Sequence, residues 1–528
     1  MATTRPFGSE SCVIFKLPPD SSLKRLRSTL RANSSIAEEP VRDMRYSYLD
    51  SFDWRLYDAG MVLASARQED YLRLRLCSLA EPWCYTTPSH AFRPKLANEI
   101  ADPRLRALVA RAVNGRALLP LVSVDCRERL FRILNKDGKT VVKLEVCQAR
   151  LGSRGGHRGT SDLGSWLRLS AVRGYEKVLE RWRALVCSDL SATPQHPFIR
   201  YLAAVSRQPG DYSSKLDIRL EEAQRADAAV RVILRHLLKT MTANEDGICR
   251  DLDPEFLHDF RVAVRRTRSL LGQVKSVFPE PRLRRFRAEF AWLGQVTGTA
   301  RDMDVYLSKF AGFKTSLPAT FQEDLTPLLG HLRAQKDLAQ RDLVRALRSS
   351  HYRKLKQDWL ALLDTEVPKR SSLANATRPI AAVADERIRR VHRRAMKEGK
   401  QIREDSAPPM LHQLRKTCKK LRYLLEFFHS LYPGDAIEDL LEPLKKLQDN
   451  LGEYQDLQVQ QEVLLGFRQT MDSSPEFTQA NQHAIDLLVQ TLVKRQNAVR
   501  TEFRRRFRGL QRESGRFETL FSPKIGAP

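Results

Sequence analysis

The chain has no C-x-x-C pair: its eight cysteines stand at 12, 77, 84, 126, 147, 187, 249 and 418, without the spacing of a disulfide framework or a zinc site. They are expected to be ordinary reduced thiols, and neither a metal nor a cofactor is expected. No run approaches the roughly 18 apolar residues of a membrane-spanning helix, so no membrane association is expected. The first twenty residues, MATTRPFGSESCVIFKLPPD, lack the charged start and unbroken apolar stretch of a secretory signal; the expected location is the cytoplasm. Acidic residues are in deficit: 63 Asp plus Glu face 90 Lys plus Arg, a formal net charge of +27. The imbalance points to an acidic partner, with nucleic acid, an anionic membrane surface and polyphosphate all admissible on charge alone.

Apolar residues make up 42% of the 528, enough for real cores, and the length predicts two to four domains. Up to about residue 146 the pattern favours short strands: CVIFKL (12–17), MRYSYLD (44–50), YLRLRLC (71–77), LVSVDCRERLFRIL (121–134) and VVKLEV (141–146). Alternation of apolar and polar residues in several of them is that of half-buried antiparallel strands. Asn135–Gly138 reads as a hairpin turn, and helical patches are expected at 20–32 and 101–114. The glycine-rich stretch 151–164 reads as a loop, 172–186 as a helix, and 206–214 (SRQPGDYSS) as a linker. Beyond it strand signals vanish and long 3.6-period segments follow, at about 217–242, 254–277, 281–313, 322–347, 351–364, 376–402, 408–431, 435–468 and 476–508. Short connections between such segments predict antiparallel bundles.

An internal repeat organises this second half. LHDFRVAVRRTR (257–268) and LHQLRKTCKKLR (411–422) match at an offset of 154, which also pairs Leu293, Gly298, Asp302 and Val305 with Leu447, Gly452, Asp456 and Val459. At about 100° per residue, His258, Arg261, Arg265 and Arg268 fall within about 80° of one another. Phe260, Val264, Thr267 and Leu271 lie opposite them. The second copy divides in the same way, with His412, Arg415, Lys419 and Arg422 on one face and Leu414, Cys418, Leu421 and Leu425 on the other. Cations three and four residues apart repel by a few tenths of a kcal/mol per pair, and no carboxylate is interleaved between them. A lone basic helix face is ordinarily solvated; two in matching register, each opening with His, call for a shared anion. A phosphate chain suits them, since Arg supplies bidentate donors, Lys a point charge and His a titratable donor. Gly298 and Gly452 read as close helix contacts, and Asp302 and Asp456 as groups that orient Arg or Lys.

The strings H-x-x-R-V-x-x-R-R-x-R (258–268), ARDMDV (300–305) and H-x-x-R-K-x-x-K-K-L-R-Y (412–423) resemble the conserved histidine α-helical domain, CHAD. The resemblance covers roughly 215–510. It implies two pseudo-symmetric four-helix bundles around a basic cavity that binds inorganic polyphosphate, and an association with polyphosphate granules. The polyphosphate-binding residues it implies are His258, Arg261, Arg265, Arg266, Arg268, His412, Arg415, Lys416, Lys419, Lys420, Arg422 and Tyr423, with Arg235, Lys239, Arg389 and Arg393 as further basic lining. Gln455 stands where the first copy has Arg301. YLDSFDWRLYDAGMVLASAR (48–67) resembles the CYTH, or triphosphate tunnel, fold. That family opens on E-x-E-x-K, whereas SCVIFKL (11–17) retains only Lys16 and no glutamate. Arg73, Arg75, Arg127, Arg129, Arg132, Lys143 and Glu145 are expected to line what remains of a tunnel.

The expected architecture is therefore multidomain, α+β then all-α: a degenerate antiparallel β tunnel or barrel at 1–205, a linker at 206–214, helical halves at about 215–365 and 370–510, and a tail from 511. The expected function is polyphosphate binding by a bacterial-type protein that is not an enzyme. Its rivals are a triphosphate or polyphosphate hydrolase using the tunnel, and a nucleic-acid-binding protein. The basic helices lack interleaved aromatics for base stacking, so no specific nucleic acid is expected.

Overall fold

In the computed structural model the described residues are 8–18, 23–69, 71–89, 93–152, 161–472 and 477–522. They form two compact units, Met1–Ser213 and Ser214–Pro528. Most of the glycine-rich loop, 153–160, and the end of the expected tail, 523–528, lie outside the described residues.

Alternation in the first unit becomes strands. These are β1 (Glu10–Lys16), β2 (Ser35–Glu38), β3 (Arg42–Asp50), β4 (Met61–Gln68), β5 (Tyr71–Ser78), β6 (Trp83–Pro88), β7 (Leu119–Leu134), β8 (Thr140–Leu151), β9 (Asp162–Ala171) and the short β10 (Thr193–Pro194). Between them run α1 (Leu23–Asn33), α2 (Arg55–Asp58), α3 (Pro103–Val113), α4 (Glu176–Leu190) and α5 (Phe198–Ala203). Antiparallel order β1-β6-β5-β4-β3-β7-β8-β9, with β9 pairing back onto β1, closes an eight-stranded barrel. Closure leaves these eight strands no free edge.

Each strand sends alternate residues inward and outward. Outward residues of one wall (Phe131, Val142, Leu144, Leu167) pack under Leu179 and Trp182 of α4, and those of the other (Leu63, Leu74, Leu76) under Leu105 and Val109 of α3. At the β7–β8 hairpin, Asn135 Oδ1 accepts from the amides of Asp137 and Lys139, and Gly138 supplies the positive φ the turn needs. The YLDSFDWRLYD stretch owes its turn to Asp50, whose carboxylate accepts from the amides of Ser51, Leu56 and Tyr57. Two cysteine expectations are corrected: Cys77 is bonded to Cys84 on the neighbouring strand, and Cys126 to Cys147. The stretch expected as a linker is pinned to its own unit, with Trp54 Nε1 donating to Asp211 at 2.9 Å and Tyr212 against Phe52.

The helical unit repeats its own starts. Helices α6 (Ala226–Cys249), α7 (Pro254–Gln273) and α8 (Glu280–Val296) begin 154 residues before α12 (Ile380–Lys400), α13 (Pro408–Phe427) and α14 (Gly434–Met471). Proline in the first turn of α7 and α13 presets the helical φ at both. After α8 come α9 (Gly298–Thr315), α10 (Thr326–Arg348) and α11 (Ser350–Asp364); α14 is followed by α15 (Gln479–Arg512) and α16 (Ser514–Leu520). The presumed tail thus carries a helix, whose Phe517 stacks on His392.

Two further expectations shift. Residues 217–225 are not helical: Arg225 bridges Pro379, the residue 154 positions on, so the two halves clasp at equivalent positions. The segment 281–313 breaks at Thr297, whereas α14 runs unbroken through the matching register. Phe260, Val264 and Leu271, and Leu414, Cys418, Leu421 and Leu425, are buried as the wheel requires. No helix of the described residues is long and apolar enough to cross a membrane.

Candidate functional site

Helices α7 and α13 are neighbours, and their basic faces meet. On α7, Arg261 donates to the Gly294 carbonyl at 3.0 Å and to Thr297 Oγ1 at 2.9 Å, so its guanidinium satisfies the C-terminal end of α8 where the helix breaks. On α13 the unbroken α14 offers no such end, and Arg415 turns to Asp456 at 3.3 Å. Gly298 and Gly452 face these two side chains, and a Cβ on either would stand 3.7–3.8 Å from the guanidinium, an ordinary contact. A Cβ on Gly294 would meet Arg268 at 2.9 Å, and at the equivalent position Gln448 accepts from Arg422 at 3.2 Å.

Arg265 and Lys419 sit half-buried between these pairs, and neither has an ion-pair partner among the described residues. Lys419 is pushed down to about 8 by burial and then by the charges of Arg415 and Arg265 across the pseudo-two-fold. Burial raises the Asp302 carboxyl against the pull of Arg261, and it feels Asp456 as well. Lys309 joins Arg415, Lys419, Arg422, Gly452 and Asp456 around a groove of about 900 Å³, its mouth included. The sequence reading missed Lys309, although it lies seven residues beyond Asp302 on one helix face.

The motif histidines both tie helices together. His258 Nδ1 lies 2.9 Å from Arg301 Nη2, and His412 Nδ1 lies 2.8 Å from Gln455 Oε1. Arginine can only donate, so His258 Nδ1 accepts and the neutral ring carries its proton on Nε2. Burial, then Arg301, lowers the His258 pKa.

Several expected residues stand elsewhere. One turn beyond the second basic run stands Glu426, which accepts from Arg266 at 2.8 Å and from Arg422 at 2.8 Å. Arg266 also donates to the Ser214 carbonyl and is thereby tied up. Lys416 is exposed, Lys420 half-buried and Tyr423 buried, 6.3 Å from the Phe427 ring. Of the further lining, Arg235 is committed to Asp364 at 3.0 Å, Lys239 and Arg393 are exposed, and Arg389 turns to the Asp385 carbonyl.

In the barrel, Arg73, Arg75 and Glu145 do point inward, joined by Tyr46, Glu128 and Arg168. Arg168 binds Glu145 in a fork, Arg75 reaches Glu145 at 3.2 Å, and Arg73 reaches Glu128 at 3.2 Å while Tyr46 donates to Glu128. Burial alone would raise the Glu145 carboxyl; Arg168 and Arg75 outweigh it and hold the group well below the usual carboxylate range. Arg127 and Arg129 alternate with Glu128 and so face outward, Arg129 toward Glu38 at 4.0 Å, and Arg132 is exposed beside Glu39. Lys143 is half-buried, in step with Glu145. The first strand begins one residue before the stretch read as glutamate-free, so Glu10 belongs to it and lies 4.0 Å from Arg168.

Residues 232–465, all within the helical unit, match the family model of the CHAD domain. Two uncharacterized proteins from strains of Mycobacterium tuberculosis are 27% identical over 215 residues, 40% of this chain and 40% of theirs. The CHAD domain from the plant Ricinus communis is 26% identical over 54% of this chain and 94% of that one, with a TM-score of 0.46. The eight-stranded barrel resembles triphosphate tunnel structures. An adenylyl cyclase candidate from Hippeastrum, described as having a dominant triphosphatase activity, is 13% identical over 39% of this chain and all of that one, at a TM-score of 0.26. That finding, with further cyclase-named structures over the same part, corrects the expectation that the chain is not an enzyme.

Proposed function

We propose that the helical domain binds inorganic polyphosphate along the apposed basic faces of α7 and α13 and the groove that α13 shares with α9 and α14. The observation that carries this reading is the meeting of Arg265 and Lys419 across the pseudo-two-fold without a carboxylate partner among the described residues, at a cost in repulsion that a linear anion repays. Arg261, Arg268, Arg415 and Lys309 extend the row, and the carboxylates Asp302 and Asp456 orient it rather than neutralise it. On this reading the protein resides in the cytoplasm at polyphosphate granules. Titration of long-chain polyphosphate into the full chain tests it, with the salt dependence recorded, because each neutralised phosphate releases counterions. Affinity that survives charge reversal at Arg261, Arg265, Arg415 and Lys419 overturns the reading. Displacement of polyphosphate by duplex DNA or RNA at equal phosphate concentration moves the function to nucleic acid. Phosphate release from tripolyphosphate with magnesium or manganese is to be assayed beside binding, because hydrolysis in the barrel is compatible with the same substrate class.

A further inference from the structure

The barrel interior is a different kind of site from the helical groove. Its central charges are Arg73, Arg75 and Arg168 against Glu128 and Glu145, one net positive charge, and both carboxylates are already engaged. Its remaining walls are Tyr46, Tyr48, Trp166 and Tyr201, together with Val62 and Ala64, around a small cavity of about 60 Å³. Residues leading into α5 and on it, His196, Pro197 and Tyr201, line one side.

Donors outnumber acceptors here. Arg75 Nε and Trp166 Nε1 are buried without a hydrogen-bond partner among the described residues, Arg168 Nη1 has Glu10 no nearer than 4.0 Å, and the three side chains belong to residues at least nine-tenths buried. His196 Nδ1 accepts from the Phe198 amide at 3.2 Å, so the neutral ring adds a further N–H on Nε2. Burial and Arg75 lower the His196 pKa to about 4, which keeps that ring neutral. A buried donor without an acceptor costs about 1–3 kcal/mol, so such a cluster calls for an acceptor from outside.

We infer that the barrel binds a small organic monoanion, a carboxylate on an aromatic or apolar body. One carboxylate answers the single net charge and the waiting donors, and its body meets the aromatic walls. A triphosphate brings several negative charges to a site whose central guanidiniums are already shared with two carboxylates. The site does not depend on the polyphosphate reading of the helical domain.

The experiment uses the full chain and ligand-observed NMR with acetate, benzoate, 4-hydroxybenzoate and indole-3-acetate, with benzyl alcohol as the uncharged control. Binding of at least one aromatic carboxylate near 1 mM or tighter, about tenfold better than benzyl alcohol, is expected. Ala64→Leu fills the cavity and is expected to abolish that signal while leaving polyphosphate titration unchanged. Should that variant misfold, His196→Ala at the wall is expected to weaken the same signal severalfold. Absence of binding across the panel overturns the inference. So does tripolyphosphate displacing, at equal concentration, the benzoate signal that Ala64→Leu removes.

Discussion

Neutralising Arg265 and Lys419 together, as Arg265→Gln with Lys419→Gln, is expected to move binding and stability in opposite directions. Neither side chain has an ion-pair partner among the described residues, and Lys419 is depressed from 10.5 to about 8 by burial and by neighbouring cations. Below pH 8 the folded protein therefore bears an ammonium it would rather lose, at up to about 3 kcal/mol by the conversion of roughly 1.4 kcal/mol per pKa unit. Partial solvent access, and the cost of burying an amide instead, reduce the net gain to about 1 kcal/mol. For a unit of this size that is a rise of about 2 °C in Tm. Polyphosphate binding should weaken at least tenfold at 0.1 M salt. With about 0.7 counterions released per contact, the slope of log K against log salt should become shallower by about 1.4. Calorimetry of the unliganded protein and a salt-series titration read the two effects. A lower Tm with an unchanged slope would refute the reasoning, because the two cations would then be structural.

Affinity for polyphosphate should fall as pH rises from 7 to 9, since Lys419 loses its proton near 8; a bound polyanion should raise that value, and titrations at both pH values check the sign. Arg301→Gln copies the second half into the first: His258, held down by burial and then by Arg301, should titrate higher, as followed by imidazole NMR shifts. Glu426→Gln releases Arg266 and Arg422 at once, so polyphosphate should bind severalfold tighter while Tm falls by a few degrees, for the carboxylate is half-buried between two guanidiniums. Leu414→Ala, at a wholly buried position on the core face of α13, should cost about 3 kcal/mol by denaturant melt with little effect on the charged groove.

Much of the helical domain was legible because a bundle helix writes its orientation into one period. The 154-residue register and the separation of cations from Phe260, Val264, Leu414 and Leu421 both follow from local spacing. In the barrel, alternation located β1, β3, β5, β7 and β8. It passed over β2, β4, β6, β9 and β10; of β9 only 162–164 fell within the stretch read as a loop. Period two separates the faces of a strand without saying which one a closed barrel turns inward, so Arg127 and Arg129 were grouped with Arg73 and Arg75.

The sequence by itself determined the duplication, the two basic faces and the excess of cations, since these are properties of spacing along a single helix or of composition. Only the tertiary structure decided which cations keep their charge free: Glu426 crosses to Arg266, Glu145 to Arg168, and Arg261 turns to the broken end of α8. Ion pairing acts over a few ångströms between groups that may be 160 residues apart, as Arg266 and Glu426 are, and spacing along the chain carries no record of that distance.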